Sequence, residues 1–140
     1  LVTGATRGIG KTIAESLAIQ GAHLVFNYRV GKEEIAEQFK NKLLEMGAEK
    51  VTPLLFDITN TAEMKDVLTS FSKEYGNISG LVNNAGVATA ATFEQHTLKD
   101  WERVFRVNFW GVVHGCKAFL PTLKERNGHI VNISSIFFLS

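Results

Sequence analysis

Short apolar runs alternate along this chain with stretches in which apolar residues return every three or four positions. The runs lie at 1–3, 22–28, 50–56, 79–86 and 129–134. Their length and β-branched or aromatic content predict strands. Between them, 9–20, 32–46, 61–75 and 98–125 carry helical spacing. The first helix is expected to bury Ile9, Ile13, Ala14, Leu17 and Ala18 on one face. The second is expected to bury Ile35, Phe39 and Leu43 and to stop at Gly47. In the third, Met64, Val67, Leu68 and Phe71 fall in register. Asn60 is a candidate cap for it, with Glu63 at the capping-box position, and Thr97 with Asp100 repeats that pattern before the long helix. Trp101, Phe105, Phe109 and Val112 recur at helical spacing and predict either core or subunit contact. Pro53 is the weak point of the third strand.

Strand and helix alternate throughout, which predicts an α/β fold with a doubly wound, Rossmann-type parallel sheet. Right-handed crossovers then give the strand order 3-2-1-4-5. Residues 1–140 read as one domain, without the last strands of a full fold of this type. Ligands of such sheets bind beyond the carboxyl ends of the strands. Those ends are Thr3-Gly4, Asn27 to Arg29, Asp57, Asn83 to Gly86 and Ser134-Ser135. They are also the least ordinary residues of the sequence.

Composition narrows the partners. The chain has 15 basic and 14 acidic residues, a formal net charge of +1, and no basic stripe, so nucleic acid is not favoured. No apolar run is long enough to span a bilayer, and the start does not read as a signal peptide. Since the chain opens on Leu1, residues upstream are expected. A single cysteine, Cys116, excludes an internal disulfide and predicts a reduced, cytoplasmic setting. The sequons Asn77–Ser79 and Asn132–Ser134 are read as chance. His23, His96, His114 and His129 show no metal-ligand spacing, so no metal site is expected.

The candidate chemistry starts at residues 3–12, TGATRGIGKT, between a strand and a helix. Backbone N–H groups at such a helix start bind phosphate. Two patterns compete there. Gly10-Lys11-Thr12 is the second half of a nucleoside-triphosphate loop, but the first half would need Gly where Ala5 stands. Asp57 could serve that reading as a magnesium-binding aspartate. The other pattern is a dinucleotide loop, here spaced Gly4, Gly8, Gly10. A bland turn is the third option.

The rest of the chain resembles the classical short-chain dehydrogenase/reductase family. TGATRGIG at 3–10 is similar to that family's T-G-x-x-x-G-I-G loop, and NNAG at 83–86 to its second hallmark. Asn108 matches the asparagine of its long helix, and Asp57 the aspartate that contacts adenine. GHIVNISS at 128–135 matches the strand that ends in the catalytic serine, placed at Ser135. The first half looks most like 3-oxoacyl-[acyl-carrier-protein] reductases. After NNAG the resemblance is to general alcohol and ketone dehydrogenases.

What the resemblance implies is an NADP(H)-dependent oxidoreductase that moves a hydride between nicotinamide and a carbonyl or alcohol, such as a 3-oxoacyl thioester. Gly4, Thr6, Arg7, Gly8, Ile9 and Gly10 would hold the pyrophosphate side, with Thr6 bracing the loop. Tyr28, Arg29, Asp57 and Ile58 would meet the adenosine end. Asn84, Ala85 and Gly86 would line the ribose and nicotinamide side; a purely structural strand end is the alternative for Asn83 and Asn84. NADP(H) is favoured over NAD(H) because no acid follows the second strand, where Arg29 stands instead, and Arg7 lies in the loop. Ser135 and Asn108 are the catalytic candidates. The tyrosine and lysine of the family's Y-x-x-x-K motif should lie beyond Ser135, and no such motif follows. Tyr28 sits at the adenosine end, and Tyr75 has no lysine in register. The bulky Phe138 also departs from the small residue usual there. The chain is thus expected to be a piece of a longer reductase, inactive alone and a homo-oligomer when complete. A damaged frame or an assembled or designed segment are alternatives. A non-catalytic dinucleotide-binding or interaction module is the competing function.

Overall fold

The computed structural model describes residues 1–135; Phe138 lies outside them. In chain order the elements are α1 (Gly8–Ile19), β1 (His23–Tyr28), α2 (Glu33–Glu45), β2 (Lys50–Leu55), α3 (Thr61–Tyr75) and β3 (Gly80–Asn83). A 3-10 turn at Phe93–Gln95 leads into α4 (Leu98–Phe105), a π-helical turn (Arg106–Trp110), α5 (Gly111–Glu125) and β4 (His129–Asn132). β1 pairs with β2, and β3 with β4, all parallel. Val2 joins the pairs by bridging Phe26 and Val82. The sheet order is therefore β2-β1-Val2-β3-β4, the expected 3-2-1-4-5. The first strand is shorter than expected. It is a single bridged residue, held by Val2 N–H to Val25 O at 2.9 Å and Thr3 N–H to Val82 O at 3.0 Å.

Side chains alternate across this sheet with the two-residue period of a strand. Val2, Leu24 and Phe26 face one side, with Ala14 and Ala18 of α1 and Ala36, Phe39 and Leu43 of α2. Leu1, Val25 and Leu81 face the other, with Met64, Leu68 and Phe71 of α3 and Phe119 and Leu123 of α5. Two helix faces differ from expectation. Ile9 is 64% exposed and Ile35 is 45% exposed. In α1 the small residues Gly10, Ala14 and Ala18 form the packed ridge. That ridge lets the helix axis approach the sheet closely, and it turns Ile9 outward. In α2 the packed ridge is Ala36, Phe39 and Leu43.

The long helix is also not one register. The π-helical turn between α4 and α5 inserts an extra residue and rotates what precedes it. Trp101 and Phe105 before the turn and Phe109 within it are 42%, 49% and 51% exposed and do not enter the core. Pro53 is accommodated because β2 is the outermost strand on its side of the described sheet. Asn60 caps α3, its Oδ1 accepting from Glu63 N–H at 3.2 Å. Glu63 does not close a capping box; its carboxylate reaches past the cap to Asp57 N–H at 2.9 Å. At α4 both halves of the box form, between Thr97 and Asp100.

Candidate functional site

All the strand ends named above converge on one edge of the sheet. The loop after Val2 is shaped by backbone contacts that only glycine permits. Gly4 has φ +64°, and a Cβ there would stand 2.9 Å from Ala85 Cα. A Cβ on Gly10 would run into the Asn84 amide and stand 2.6 Å from Gly4 O. Gly8, with φ +54°, borders open space. α1 then begins with no side-chain cap from Arg7 and no acid in its first turn. By contrast α2 starts with Glu33 and Glu34, α3 with Asn60 and Glu63, and α4 with Thr97 and Asp100. The first turn of α1 thus presents uncommitted N–H groups and the positive end of the helix dipole. Arg7, Gly8 and Ile9 are exposed around it.

The loop is braced by residues further along the chain. Thr3 Oγ1 accepts from Asn84 N–H at 3.0 Å and Ala85 N–H at 3.1 Å. Asn84 Nδ2 donates to Thr3 O at 2.9 Å and Gly4 O at 3.2 Å. The brace expected of Thr6 is thus supplied by Thr3, a buried hydroxyl that its sequence context marks only as a strand end. Asn27, also buried, accepts from Gly4 N–H at 3.0 Å and donates to Phe56 O at 3.1 Å. One amide thereby ties together the ends of β1, the loop and the segment after β2. Asn83 is structural: its Nδ2 donates to Asn132 Oδ1 at 2.8 Å and contacts Cys116 Sγ at 3.5 Å.

At the far end of this edge a cavity of about 270 Å³ is lined by Arg29, Val30, Lys32, Leu55, Phe56, Asp57 and Glu63. Asp57 is oriented by an Asx turn, its Oδ1 accepting from Thr59 N–H and Thr59 Oγ1, both at 2.8 Å. Ile58 is buried under Gly111, where a Cβ would lie 2.7 Å from Ile58 Cδ1. Tyr28 is half-buried at the end of β1. Tyr28 and Lys32 do stand four apart, so a literal Y-x-x-x-K occurs in the chain. The two are separated by a turn between β1 and α2, not placed on one helical face. Lys32 was not legible as a site residue from sequence, since a lysine at a helix start reads as solvated surface.

Asn108 lies on the π-helical turn, and its amide binds Val87 just after Gly86. Ser135 is exposed, two residues beyond Ile133, whose N–H donates to Asn83 O at 2.9 Å. The structure thus brings Gly4, Gly10, Asn84 and Ala85 into direct contact, places Arg29 and Asp57 in the lining of one cavity, and sets Asn108 beside Gly86. Among the described residues no group of three His, Cys, Asp or Glu could hold a metal ion. No described helix is long and apolar enough to cross a membrane.

Comparison with known proteins agrees with this geometry. The family model for short chain dehydrogenases matches residues 1–138. The 3-oxoacyl-[acyl-carrier-protein] reductase FabG of Thermotoga maritima is 35% identical over 137 residues, covering 97% of this chain and 54% of that protein. The NADP-dependent 3-hydroxy acid dehydrogenase YdfG of Escherichia coli is 35% identical, over 96% of this chain and 53% of its own length. Among solved structures, an alcohol dehydrogenase from the archaeon Thermococcus sibiricus, complexed with 5-hydroxy-NADP, superposes with a TM-score of 0.84 at 26% identity. That match covers 94% of this chain and 55% of the other. The chain spans about half the length of the curated relatives it matches.

Proposed function

The chain belongs to the short chain dehydrogenase family, and from that premise we propose that the whole protein is an NADP(H)-dependent oxidoreductase acting on a carbonyl or alcohol. A 3-oxoacyl thioester is the substrate class we favour. The observation that carries this reading is the open first turn of α1, wedged against Asn84 and Ala85 where side chains at Gly4 and Gly10 would intrude. Such a cradle fits a pyrophosphate that must approach backbone closely. Gly8, Ile9 and Gly10 would offer it N–H groups, with Thr6 and Arg7 beside them. Tyr28, Arg29, Asp57 and Ile58 would receive the adenosine end, and Asn84, Ala85 and Gly86 the ribose next to nicotinamide. Arg29 replaces the acid that would accept a ribose 2′-OH, which favours a 2′-phosphate.

When bound, the cofactor supplies or accepts the hydride. The protein's part is to orient and to manage charge. Ser135 Oγ would donate a hydrogen bond to the substrate oxygen as charge develops there. Asn108, with its amide held by Val87, would fix the loop that follows Gly86. We assign the residues described here to a single nucleotide-binding domain in a cytoplasmic protein. The exposed Trp101, Phe105, Phe109 and Trp110 are the surface we assign to contact with a second copy.

A second reading is nucleotide binding without turnover by residues 1–140 themselves, since their only Y-x-x-x-K spans a turn. Titration of the chain with NADPH, and separately with magnesium and ATP, tests the assignment. NADPH binding alone is the expected result. Magnesium-dependent ATP binding with no NADPH binding would overturn it. Reduction of a 3-oxoacyl thioester by the whole protein separates enzyme from binding module.

A further inference from the structure

The cavity at the end of β1 holds two cations, and only one of them was expected there. Arg29 to Lys32 form a β-turn, closed by Lys32 N–H to Arg29 O at 3.1 Å, with Gly31 at φ +79° in its third position. The ends of a β-turn lie within about 7 Å of each other. The turn therefore sets the Arg29 and Lys32 backbones side by side, and both residues line the cavity. Among the described residues neither cation is in a salt bridge; the ion pairs on this side of the sheet use Lys11, Lys40 and Lys42.

Two backbone donors of this turn are already taken. Glu33 Oε1 accepts from Gly31 N–H at 3.0 Å, and hydrogen bonds from its own N–H and that of Gly31 hold its carboxyl below the usual range. That carboxylate occupies the Gly31 N–H, and the cations that line this cavity are the Arg29 and Lys32 side chains. The acids that line the cavity are engaged: Asp57 holds Thr59, and Glu63 holds Asp57 N–H. A ligand suited to this lining carries a hydrogen-bond donor for the acids and a phosphate for the cations. Adenosine with a 2′-phosphate has both.

We propose that Lys32 is a second recognition residue for the 2′-phosphate, acting beside Arg29; this rests on the dinucleotide reading above. Arg29 supplies a planar fork and Lys32 a point charge, so together they approach neutrality with a phosphate dianion. The sequence signal for such a role is weak, because any helix start accepts a solvated lysine.

The test uses two probes that differ only in the 2′-phosphate: adenosine 2′,5′-bisphosphate and adenosine 5′-phosphate. Their affinities are measured by calorimetry for the wild-type chain, Lys32→Ala, Lys32→Arg and Arg29→Ala, each confirmed folded by its thermal melt. The wild type should prefer the bisphosphate by about tenfold or more, as expected for charge-assisted contacts. Lys32→Ala should remove about fivefold of that preference and leave 5′-phosphate affinity unchanged, and Lys32→Arg should keep it. An unchanged preference in Lys32→Ala overturns the proposal while the dinucleotide reading stands. Equal loss for both probes also overturns it, by making Lys32 structural. If the wild type binds neither probe, the dinucleotide reading itself falls, and this proposal with it.

Discussion

The side-chain amide of Asn108 clasps both backbone groups of Val87. Val87 N–H donates to Oδ1 at 2.9 Å, and Nδ2 donates to Val87 O at 2.8 Å. A residue on a helical turn thereby acts as a neighbouring strand would, extending order past the end of β3. Asn108→Leu removes both bonds at a solvent-accessible place. The expected cost is about 1–2 kcal/mol, from two modest hydrogen bonds. Hydrogen exchange should show the Val87 amide losing protection while Leu81 keeps it. Equal loss at both would mean the whole sheet depends on this clasp.

Gly10→Ala places a methyl against the Asn84 amide and the Gly4 carbonyl. Neither neighbour is the free end of a flexible chain, since Asn84 Nδ2 is bound to Thr3 O and Gly4 O. The substitution should cost about 1–3 kcal/mol, as for overpacking, and weaken NADPH binding by about tenfold or more as the cradle is displaced. Melts and NADPH titrations check the two effects. Unchanged values in both would show that the loop and Asn84 can part at no cost.

Arg29→Asp reverses charge where β1 ends. An acid there repels a 2′-phosphate and can accept from a ribose 2′-OH. Preference should swing from NADPH toward NADH by about tenfold or more. Paired titrations with both nucleotides read it directly, and an unaltered ratio would remove Arg29 from cofactor choice.

In the whole protein, Ser135→Ala should lower kcat by about a hundredfold or more, as when a donor to a developing oxyanion is lost. NADPH affinity should stay nearly constant. Parallel losses in turnover and affinity would make the serine a support for β4.

Stability should fall in acid. His23 has its pKa lowered by burial first and by Lys50 second, with Glu49 opposing. The unfolded chain therefore binds this proton more readily. The contribution is fully present above the unfolded value of 6.5 and is lost as pH falls below it toward the folded one. Urea melts across this range should show a small loss of stability, and His23→Gln should flatten it. An unchanged slope in His23→Gln would show that other groups carry the loss.

The legible part of the fold was legible for local reasons. Thr61–Tyr75 was read to the residue, because Asn60 caps it and Gly76 ends it at φ +80°. The sheet order followed from alternation and handedness alone. Ile9 and Ile35 misled because hydrophobic periodicity marks a broad face, whereas packing selects one ridge within it. The π-helical turn had no signal at all: an extra residue in a helix changes neither composition nor propensity. At the site, the glycines and NNAG were conspicuous because backbone approach restricts residue type. Thr3 and Asn27 were marked only as strand ends, and Lys32 not at all. Their roles come from partners 23 to 82 residues away, or from a turn that aims them, and ordinary polar residues carry no mark of either.

The brace between Thr3 and Asn84 also has a consequence in time. Its bonds join residues 81 positions apart, and the one to Ala85 spans 82. Contacts so distant in sequence form late. As the chain leaves the ribosome, the first strand, glycine loop and α1 emerge long before their partner. The braced form of the loop therefore cannot exist on a nascent chain until residue 85 is clear of the exit.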